Sequence, residues 1–461
     1  MTELAAVDAY LENHLDESIA ELARLCALPT ISALGTNLNE GAALVADLLR
    51  RRGFDVTITE TGGAPIVFAE RAGRSENTLL FYNHYDVQPP EPLELWESPP
   101  FEPVVREGKL FARGASDDKG HLTSRLFAID ALLAATGELP CTVKFVVEGE
   151  EETSSDHLNE YVAAHRQALK ADACIWEFGG VDHNDQPVQY LGLRGICYVE
   201  LQVRTANQDV HSGVGGSIFP NAAWRLTWAL NSLKGPDEHI RIPGFYDPVV
   251  PPSPRDRELM ERLPETAGEY RQRYGVQSFL HGLTGGVDLR IAEVFQPTCT
   301  ICGLTSGYQG PGAKTVLPAE ASAKIDFRLV PNQTPRHVLE QLRAHLDREG
   351  FSDVAIVDLG GEAPARTDPD HPFVRLVVET AEDAYGVPMQ ILPMTGGSGP
   401  NHIFIENLGS LPIATAGVGY PGAQIHAPNE NVRLDDYLKG ARHIARILTR
   451  FGEGKLQSVS G

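Results

Sequence analysis

A histidine and an aspartate of the sequence lie at a spacing that suits metal chemistry. His84 and Asp86 lie two positions apart, just after the apolar run Thr78–Tyr82, so at the end of an extended strand both side chains point to one side. This arrangement suits an imidazole that binds a metal ion while a carboxylate holds its other ring nitrogen. The pair alone would equally fit a solvated loop histidine beside a turn aspartate.

The segment Glu148–Glu152 places four acidic residues in five positions, directly after the apolar run Cys141–Val147. A charge run of this kind is usually a solvated turn. Repulsion among carboxylates at the end of a buried strand is nevertheless unfavourable unless a cation offsets it. In such a site one carboxylate could bind the ion while its neighbour accepts a proton from water.

Two further stretches carry the same residue types. Asp117 and Asp118 stand side by side before the apolar helical run that begins near Leu122, and His426 is followed closely by Glu430. Either aspartate alone could cap the helix, because a carboxylate accepts the free N–H groups of a first helical turn. Four stretches with acids or histidines at the ends of strand-like runs favour a shared site over four unrelated turns.

Composition excludes several functional classes. The 461 residues carry a formal net charge of −23, and no basic patch relieves it, so nucleic-acid binding is not expected. The length predicts two to four domains with a substantial core. The start, Met1–Asp8, lacks a basic and apolar leader, and no run reaches the roughly 20 apolar residues of a membrane span. A cytoplasmic protein without a membrane partner is therefore expected.

Two weaker patterns are interpreted as structural. Cys299 and Cys302 have the spacing of a redox or zinc pair, but no second pair accompanies them, so strand packing and reduced thiols are predicted. The turn Gly396–Ser398 could cradle a phosphate, yet no Walker lysine follows it and no dinucleotide fingerprint precedes it. Nucleotide binding is not predicted.

The order of elements predicts an α/β fold with an insertion. Strands alternate with helices over residues 1–194, which is typical of a mostly parallel sheet covered by helices on both faces, with function at the carboxyl ends of the strands. Polar and apolar residues then alternate from Ile196 to Thr205, as in an antiparallel strand. We therefore predict an inserted α+β domain at 195–360. The first domain resumes over 361–461, where the strand Met389–Leu392 is expected to join its sheet.

In chain order, the four stretches with acids or histidines are His84-x-Asp86, Asp117-Asp118-Lys119-Gly120, Glu148-Gly149-x-Glu151-Glu152 and His426-x-x-Asn429-Glu430. Over essentially its whole length the chain resembles the di-zinc metallopeptidase and amidohydrolase family that includes carnosine dipeptidase, acetylornithine deacetylase, succinyl-diaminopimelate desuccinylase, glutamate carboxypeptidase and aminoacylase. The resemblance implies a zinc-exopeptidase-like α/β fold with an inserted lid. It also implies two divalent metal ions per subunit, zinc in the first place, with manganese or cobalt as alternatives.

The resemblance assigns roles to individual residues. Asp117 would bridge the two metal ions, and the peptide bond that follows it is expected to be cis. Glu151 would be the general base and Asp86 the support for His84. The implied metal ligands are Asp117 as the bridge, His84 and Glu177 for one ion, and Glu152 and His426 for the other.

Within the insert, the resemblance extends to substrate contacts. Asp209–Gly213 resembles the family's stretch whose histidine, here His211, reaches the active site of the partner subunit and polarises the scissile carbonyl. Phe327–Asn332 resembles the stretch whose arginine, here Arg328, binds the substrate carboxylate, and Gly397 and Ser398 belong to the loop beside it. The resemblance thus implies a homodimer formed through the lid domain.

The sequence departs from the family pattern at Glu177, which affects the expected substrate, and at Thr153–Ser155, which affects the expected backbone turn. The lid segments Ile242–Asp247 and Gly310–Pro318 most resemble the long-lid carnosine-dipeptidase branch, whereas Glu177 stands where dipeptidases tend to have Asp and carboxypeptidases or acylases Glu. Thr153–Ser155 also replaces the usual x-Gly-Ser. The expected function is metal-dependent hydrolysis of dipeptides or short peptides with a free carboxylate. The alternatives are an N-acyl-amino-acid deacylase or carboxypeptidase-like amidohydrolase, and a catalytically silent binding protein on the same scaffold.

Overall fold

The computed structural model describes residues 3–454 and consists of two compact units. The first unit contains the described residues up to Leu191, Thr367–Pro393 and the described residues from Ile403 onward, and the second contains Gly192–Arg366 and Met394–His402. The predicted insert, 195–360, lies inside the second unit. Met394–His402, which the prediction assigned to the resumed catalytic domain, groups with the second unit. Within residues 3–454, no helix combines the length and the apolarity that a bilayer crossing requires.

The helices and strands of the described range are numbered along the chain. The α-helices are α1 (Glu3–Asn13), α2 (Leu15–Cys26), α3 (Leu38–Arg51), α4 (Lys119–Thr136), α5 (Leu158–Ala164), α6 (Arg166–Leu169), α7 (Ser212–Gly215), α8 (Ala222–Leu233), α9 (Pro254–Glu261), α10 (Ala267–Tyr274), α11 (Gly286–Phe295), α12 (Pro335–Arg348), α13 (Pro372–Tyr385), α14 (Asn401–Leu408) and α15 (Leu434–Glu453). The strands are β1 (Asp55–Thr59), β2 (Ile66–Arg71), β3 (Thr78–His84), β4 (Val104–Arg106), β5 (Lys109–Phe111), β6 (Thr142–Glu148), β7 (Ala173–Trp176), β8 (Gly180–Val181), β9 (Pro187–Tyr190), β10 (Gly192–Leu193), β11 (Gly195–Arg204), β12 (Val210–His211), β13 (Thr300–Ser306), β14 (Val316–Leu317), β15 (Glu320–Leu329), β16 (Ala355–Glu362), β17 (Ala365–Arg366), β18 (Gln390–Leu392), β19 (Ile413–Thr415) and β20 (Asn431–Arg433).

The first unit is organised around a six-stranded sheet with the order β1-β2-β6-β3-β7-β19. The four strands β6, β3, β7 and β19 run parallel, and β2 and β1 extend the sheet in antiparallel fashion at one edge. The predicted mostly parallel α/β sheet is confirmed. Its two central strands, β3 and β6, end at His84 and Glu148, which are paired in register.

Helices cover both faces of this sheet, which explains why β3 has no polar alternation. Leu79 and Phe81 belong to the core cluster that also contains residues of α1 to α4, α13 and α15. Leu80 and Tyr82 belong to the core cluster on the opposite face, with residues of α5 and α14. A strand that is buried on both faces is apolar at every position, as the run from Thr78 predicts.

Two small sheets of the first unit differ from the sequence prediction. Strand β18 pairs in parallel with β9, in a sheet with β8, so the expectation that 389–392 joins the main sheet is wrong. Short strands with half-buried residues pair where a neighbouring edge is free, and periodicity does not identify that edge. The other small sheet joins β20 to β5 and β4, so that Asn431 is paired with Phe111. This pairing brings the stretch around His426 to the loop that contains Asp117.

The second unit contains a four-stranded antiparallel sheet with the order β13-β15-β11-β16. Buried and less buried residues alternate along β11, as predicted, and its buried residues pack with residues of α8 and α12 in one core cluster. Strand β13 lies at an edge of the sheet. The six cysteines of the chain are all unpaired, and of the two in the Cys299–Cys302 stretch the first is buried and the second exposed.

Candidate metal centre

Three neighbouring parallel strands deliver acids and a histidine to one edge of the main sheet. His84 ends β3, the acid cluster begins with Glu148 at the end of β6, and Glu177 follows the last residue of β7. Since β6 and β7 are the two parallel neighbours of β3, their carboxyl ends lie together. This is the edge at which open α/β sheets place their binding sites.

Asp117 stands between two histidines. Its Oδ1 lies 3.1 Å from His84 Nε2, and its Oδ2 lies 3.0 Å from His426 Nε2. His426 Nε2 is also 3.0 Å from Glu152 Oε2. Ligand atoms of Asp117, Glu152 and His426 all lie within 4.8 Å of one another, a spacing at which one ion can contact all three. The two oxygens of Asp117 therefore face two different sets of donors.

Glu151 and Asp86 both lie next to His84. Glu151 Oε2 is 3.9 Å from His84 Nε2, on the ring edge that faces Asp117. On the opposite ring edge, His84 Nδ1 lies 3.1 Å from the backbone carbonyl oxygen of Asp86 and 3.3 Å from its carboxylate. The backbone N–H of Glu152 donates to the other Asp86 oxygen at 3.1 Å. Asp86 thus orients the imidazole and leaves Nε2 available on the side of Asp117.

The two carboxylate oxygens of Glu177 differ in their protein partners. Trp176 Nε1 donates to Glu177 Oε1 at 3.1 Å, whereas Oε2 is buried and has no hydrogen-bond partner among residues 3–454. A buried carboxylate oxygen is costly to leave without a donor or a cation. Together with two imidazoles and further carboxylates, the donors that zinc and similar ions accept, this orphaned oxygen fits a divalent cation site.

The electrostatics of the cluster also favour a bound cation. Burial, together with the neighbouring charges of Asp117, Glu152 and Asp86, raises the pKa of Glu151 well above its ordinary value. Burial and the charge of Glu151 do the same to the pKa of Glu177. This crowding of carboxylates is what a bound cation relieves.

At His426 and Asp117 the pKa shifts favour the charged form instead. Hydrogen bonds with Asp117 and Glu152 raise the pKa of His426 to about 10, although burial opposes the shift. Burial would raise the pKa of Asp117, but hydrogen bonds with His426 and His84 outweigh burial and lower it. Asp117 is therefore the ionised centre around which the other groups are arranged.

A family model for peptidase family M20/M25/M40 matches residues 80–450. The chain belongs to this family. It is therefore a metallopeptidase, and divalent metal ions are its cofactor. This M20 peptidase is 27% identical over 468 residues to the Beta-Ala-His dipeptidase of Rattus norvegicus, covering 95% of this chain and 93% of that protein.

Two further relatives cover nearly the whole chain. The Cys-Gly metallodipeptidase dug1 of Schizosaccharomyces pombe is 28% identical over 461 residues, covering 94% of this chain and 95% of that protein. The crystal structure of the M20 family metallo-carboxypeptidase Sso-CP2 from Sulfolobus solfataricus is similar, with a TM-score of 0.89 and 35% identity, covering 95% of this chain and 100% of that one.

The Asp117 loop of this M20 peptidase is held by Glu430, to which the sequence interpretation gave no role. Glu430 is buried, and its Oε1 accepts the backbone N–H groups of Ser116 at 3.0 Å and Asp117 at 2.9 Å. Its Oε2 accepts Arg113 Nη1 at 2.8 Å and the Gly114 N–H at 2.9 Å. Because Glu430 lies four residues after His426, one carboxylate ties the Asp117 loop to the His426 loop. Its place in the His426-x-x-Asn429-Glu430 stretch was the available signal.

Asp118 also acts through the backbone rather than as a helix cap. The peptide bond Asp117–Asp118 is cis, as the family resemblance implies, and the Asp118 side chain makes no capping bond to α4. Its Oδ2 instead accepts the backbone N–H of His84 at 3.0 Å and Asn83 Nδ2 at 2.6 Å. Burial raises the pKa of Asp118 to about 7. Asp118 therefore holds the end of β3, and the possible capping role is not observed.

Two buried cations of α4 fasten the site to the rest of the unit. Arg125 donates to the Tyr82 carbonyl oxygen at 2.7 Å and to Asn83 Oδ1 at 2.6 Å, and it also contacts the carbonyl oxygen of Trp176. Lys119 Nζ donates to the carbonyl oxygens of Leu25 at 3.1 Å and Leu28 at 2.9 Å, at the end of α2. Burial lowers the pKa of Lys119 to about 8. Neither residue was assigned from the sequence, because buried arginine and lysine leave no local pattern.

The remaining predicted residues, His211, Arg328, Gly397 and Ser398, belong to the second unit. Arg328 Nη1 donates to Ser398 Oγ at 2.8 Å, so the structure brings the predicted arginine and the Gly-rich loop together. Gly397 is exposed, and its carbonyl oxygen accepts the Arg194 N–H at 2.8 Å. His211 is exposed; its Nδ1 accepts the Gly213 N–H at 3.0 Å, and its Nε2 lies 3.4 Å from Thr315 Oγ1.

Proposed function

We propose that the chain hydrolyses the peptide bond of dipeptides or short peptides that carry a free carboxylate. The observation that carries the proposal is the position of Asp117, whose two oxygens face His84 and His426 at 3.1 and 3.0 Å. A carboxylate with one histidine on each side is suited to bridge two ions. Dipeptidase activity in the names of the rat and fission-yeast relatives supports the substrate class.

The cofactor of the proposed reaction is a pair of divalent ions, zinc in the first place and manganese or cobalt as alternatives. His84, Glu177 and Asp117 would hold one ion, and Glu152, His426 and Asp117 the other. When bound, such ions lower the pKa of water and polarise the substrate carbonyl. The protein's own contribution is to fix the ligands, through Asp86, Asp118 and Glu430, before substrate arrives.

Glu151 is the proposed general base. Its carboxylate lies beside His84 and Asp117 without ranking among the proposed ligands, and its raised pKa suits a group that takes a proton and returns it. Glu151 would accept the proton of the attacking water and transfer it to the leaving amine. Asp86 would act through His84 as the residue that orients the imidazole.

The second unit is the proposed lid and dimerisation domain. Because His211 Nδ1 accepts the Gly213 N–H, its proton lies on Nε2, where it can be donated to a carbonyl oxygen in the partner's site. Arg328, steadied by Ser398, would bind the substrate carboxylate with both guanidinium arms, beside Gly397. These roles require the lid to close over substrate.

The proposed homodimer forms through an apolar surface of the second unit. On α8, Trp224 and Trp228 are 58% and 55% exposed, and on the edge strand β13, Ile301 and Leu304 are 51% and 61% exposed. An exposed edge strand flanked by apolar side chains is a pairing surface. Light scattering of Trp228→Glu should give monomer mass, whereas Tyr274→Glu, a matched change at an exposed residue of the same unit, should stay dimeric. A monomer mass for the wild-type protein would refute the proposed homodimer.

A carboxypeptidase-like activity is the second candidate, and one observation favours it. Glu177 is the acid that carboxypeptidase-type or deacylase-type sites are expected to carry, and the similar solved structure of 35% identity is a metallo-carboxypeptidase. A panel of dipeptides, longer peptides and N-acetyl and N-succinyl amino acids decides between the candidates. Preference for dipeptides supports the first proposal, and preference for longer peptides or N-acyl substrates supports the second.

The panel also tests the catalytically silent alternative. Purified protein loaded with Zn²⁺ or Mn²⁺ should hydrolyse at least one substrate class, and Glu151→Gln protein prepared in parallel controls for contaminating peptidases. Equal hydrolysis by the two preparations would indicate a contaminating peptidase, and no hydrolysis by either would indicate a silent protein. Either outcome would overturn the proposed enzyme. A cytoplasmic location belongs to the same proposal and is supported by the six unpaired cysteines.

A further inference from the structure

The two oxygens of Glu177 are held in different ways, and Trp176 causes the difference. The indole Nε1 donates to Oε1 at 3.1 Å, while the buried Oε2 has no hydrogen-bond partner in the described part of the chain. Oε1 therefore already accepts one hydrogen bond from the protein, and this bond restrains rotation of the carboxylate about the Cγ–Cδ bond. Only Oε2 is left wholly available to an external group.

The indole of Trp176 is fixed by two aromatic neighbours. Its ring lies 4.0 Å from the ring of Tyr82 at an interplanar angle of 15°, and 5.5 Å from that of Phe404 at 81°. Tyr82 and Phe404 also contact each other edge to face at 5.3 Å. Trp176 is 1% exposed, so close packing leaves the indole one orientation. The direction of its N–H is thereby set by the core and not by Glu177.

Glu148, the first acid of the 148–152 cluster, completes the arrangement from the other side. This carboxyl has no role in the proposed reaction, yet it is buried at the end of β6. The Tyr82 hydroxyl donates to Glu148 Oε1, and Ser155 Oγ donates to the same oxygen at 2.9 Å. Tyr82 is therefore held at both its hydroxyl and its ring face. A continuous set of contacts connects β6, β3 and β7 beneath the metal-binding edge.

We propose that Trp176 is a positioning residue that presents Glu177 to the metal through Oε2 alone, with Tyr82 and Glu148 fixing the indole. This inference rests on the proposed assignment of Glu177 as a metal ligand. A one-oxygen ligand leaves more of the ion's coordination free than a two-oxygen ligand would. The longer Glu side chain, in place of Asp, also lets one oxygen stay on the indole while the other reaches outward.

The test measures metal binding and needs no substrate. Zn²⁺ binding to the full chain is followed by equilibrium dialysis in a chelator-buffered series. Trp176→Phe keeps an aromatic ring that can stack on Tyr82 and removes the Nε1–H donor together with the second ring of the indole. We expect one of two wild-type zinc sites to weaken by about 10-fold, as is typical when a hydrogen bond behind a metal ligand is lost. Tyr437→Phe, which removes a buried hydrogen bond to Ser18 Oγ elsewhere in the same unit, is the matched control and should bind zinc as the wild type does.

A double-mutant cycle separates positioning from a general structural effect. If Trp176 acts through Glu177, the Trp176→Phe/Glu177→Asp double variant should bind zinc no more weakly than Glu177→Asp alone. If the double variant instead shows the product of the two single-variant losses in zinc affinity, the inference is overturned. A Trp176→Phe isotherm identical to that of the wild type would also overturn it. If Trp176→Phe does not fold by circular dichroism, Tyr82→Phe decides: the same zinc site should weaken, and an unchanged isotherm overturns the inference. A wild type that binds no zinc would instead refute the proposed metal centre itself.

Discussion

Glu430 accepts the backbone N–H of Asp117 at 2.9 Å, although 313 positions separate the two residues in sequence. The same carboxylate accepts three other donors, from Arg113, Gly114 and Ser116. All four bonds end on one buried, ionisable group. The geometry of Asp117, the proposed bridging residue, thus depends on a residue that follows His426 in the chain.

Glu430→Gln should therefore damage both stability and metal binding. A glutamine has one acceptor oxygen, so its NH₂ group would face two N–H donors wherever it points. We expect the free energy of unfolding to fall by about 3 kcal/mol, which is typical of breaking a buried charged pair, and zinc to be retained more weakly. Urea unfolding and metal analysis measure the two effects. Glu97→Gln, which breaks an exposed ion pair with Arg106, is the control and should change stability by less than about 1 kcal/mol.

Glu151→Gln should retain metal and lose turnover. The amide cannot accept the proton of the attacking water, so we expect kcat to fall by about 10²–10⁴-fold, with little change in KM. Metal content per chain should equal that of the wild type. Glu150→Gln is the neighbouring control, because Glu150 pairs with His157 at 2.7 Å and has no proposed role. Substantial activity in Glu151→Gln would contradict the assignment of the base.

His211→Ala should cripple hydrolysis without reducing bound metal, since the histidine is proposed to serve the partner's site. Mixing it with Glu151→Gln tests this directly, because in a mixed dimer one of the two sites then has both residues intact. Statistical mixing should restore about a quarter of the wild-type activity per chain. Either variant alone stays inactive. If the mixture remains as inactive as its components, His211 works within its own chain.

The pH dependence of stability should carry a contribution from His443. Burial lowers the pKa of this histidine to about 4, so the folded state excludes a proton that the unfolded state binds below about pH 6.5. Stability therefore falls as the pH drops from about 6.5 to about 4, by up to about 1.4 kcal/mol per pH unit for this one group. His443→Gln should flatten urea-unfolding free energies across that window. The exposed His183→Gln should leave the slope unchanged, and an equal slope in His443→Gln would refute the attribution.

Sequence reasoning locates the residues that stand at strand ends. His84, Glu148 and Glu177 each follow an apolar run, and parallel neighbours must bring such positions to one edge. The motif order added Asp117 and His426, which lie outside the strands, in loops near the short strands β5 and β20. The bounds of helix α13 follow from its sequence, because Pro372 begins it and Gly386 follows it.

The supporting contacts could not be predicted in this way. Trp176 and Arg125 stand in apolar runs and give no sign of the polar atoms they bind. Strand β18 pairs with β9 because an edge is free there, which depends on tertiary context. The grouping of Met394–His402 with the second unit likewise follows from three-dimensional packing and leaves no trace in periodicity.

The anchorage of Lys119 bears on how far the chain can be shortened. The family-matched region begins at residue 80, yet the ammonium group of Lys119, which follows Asp118 in sequence, donates to the carbonyl oxygens of Leu25 and Leu28. A fragment trimmed to the matched boundaries would remove both acceptors of a lysine that lies two residues from Asp117, the proposed bridging residue. The smallest catalytic fragment of this peptidase therefore includes α2 and the residues up to Leu28, and a homology boundary is the wrong place to cut.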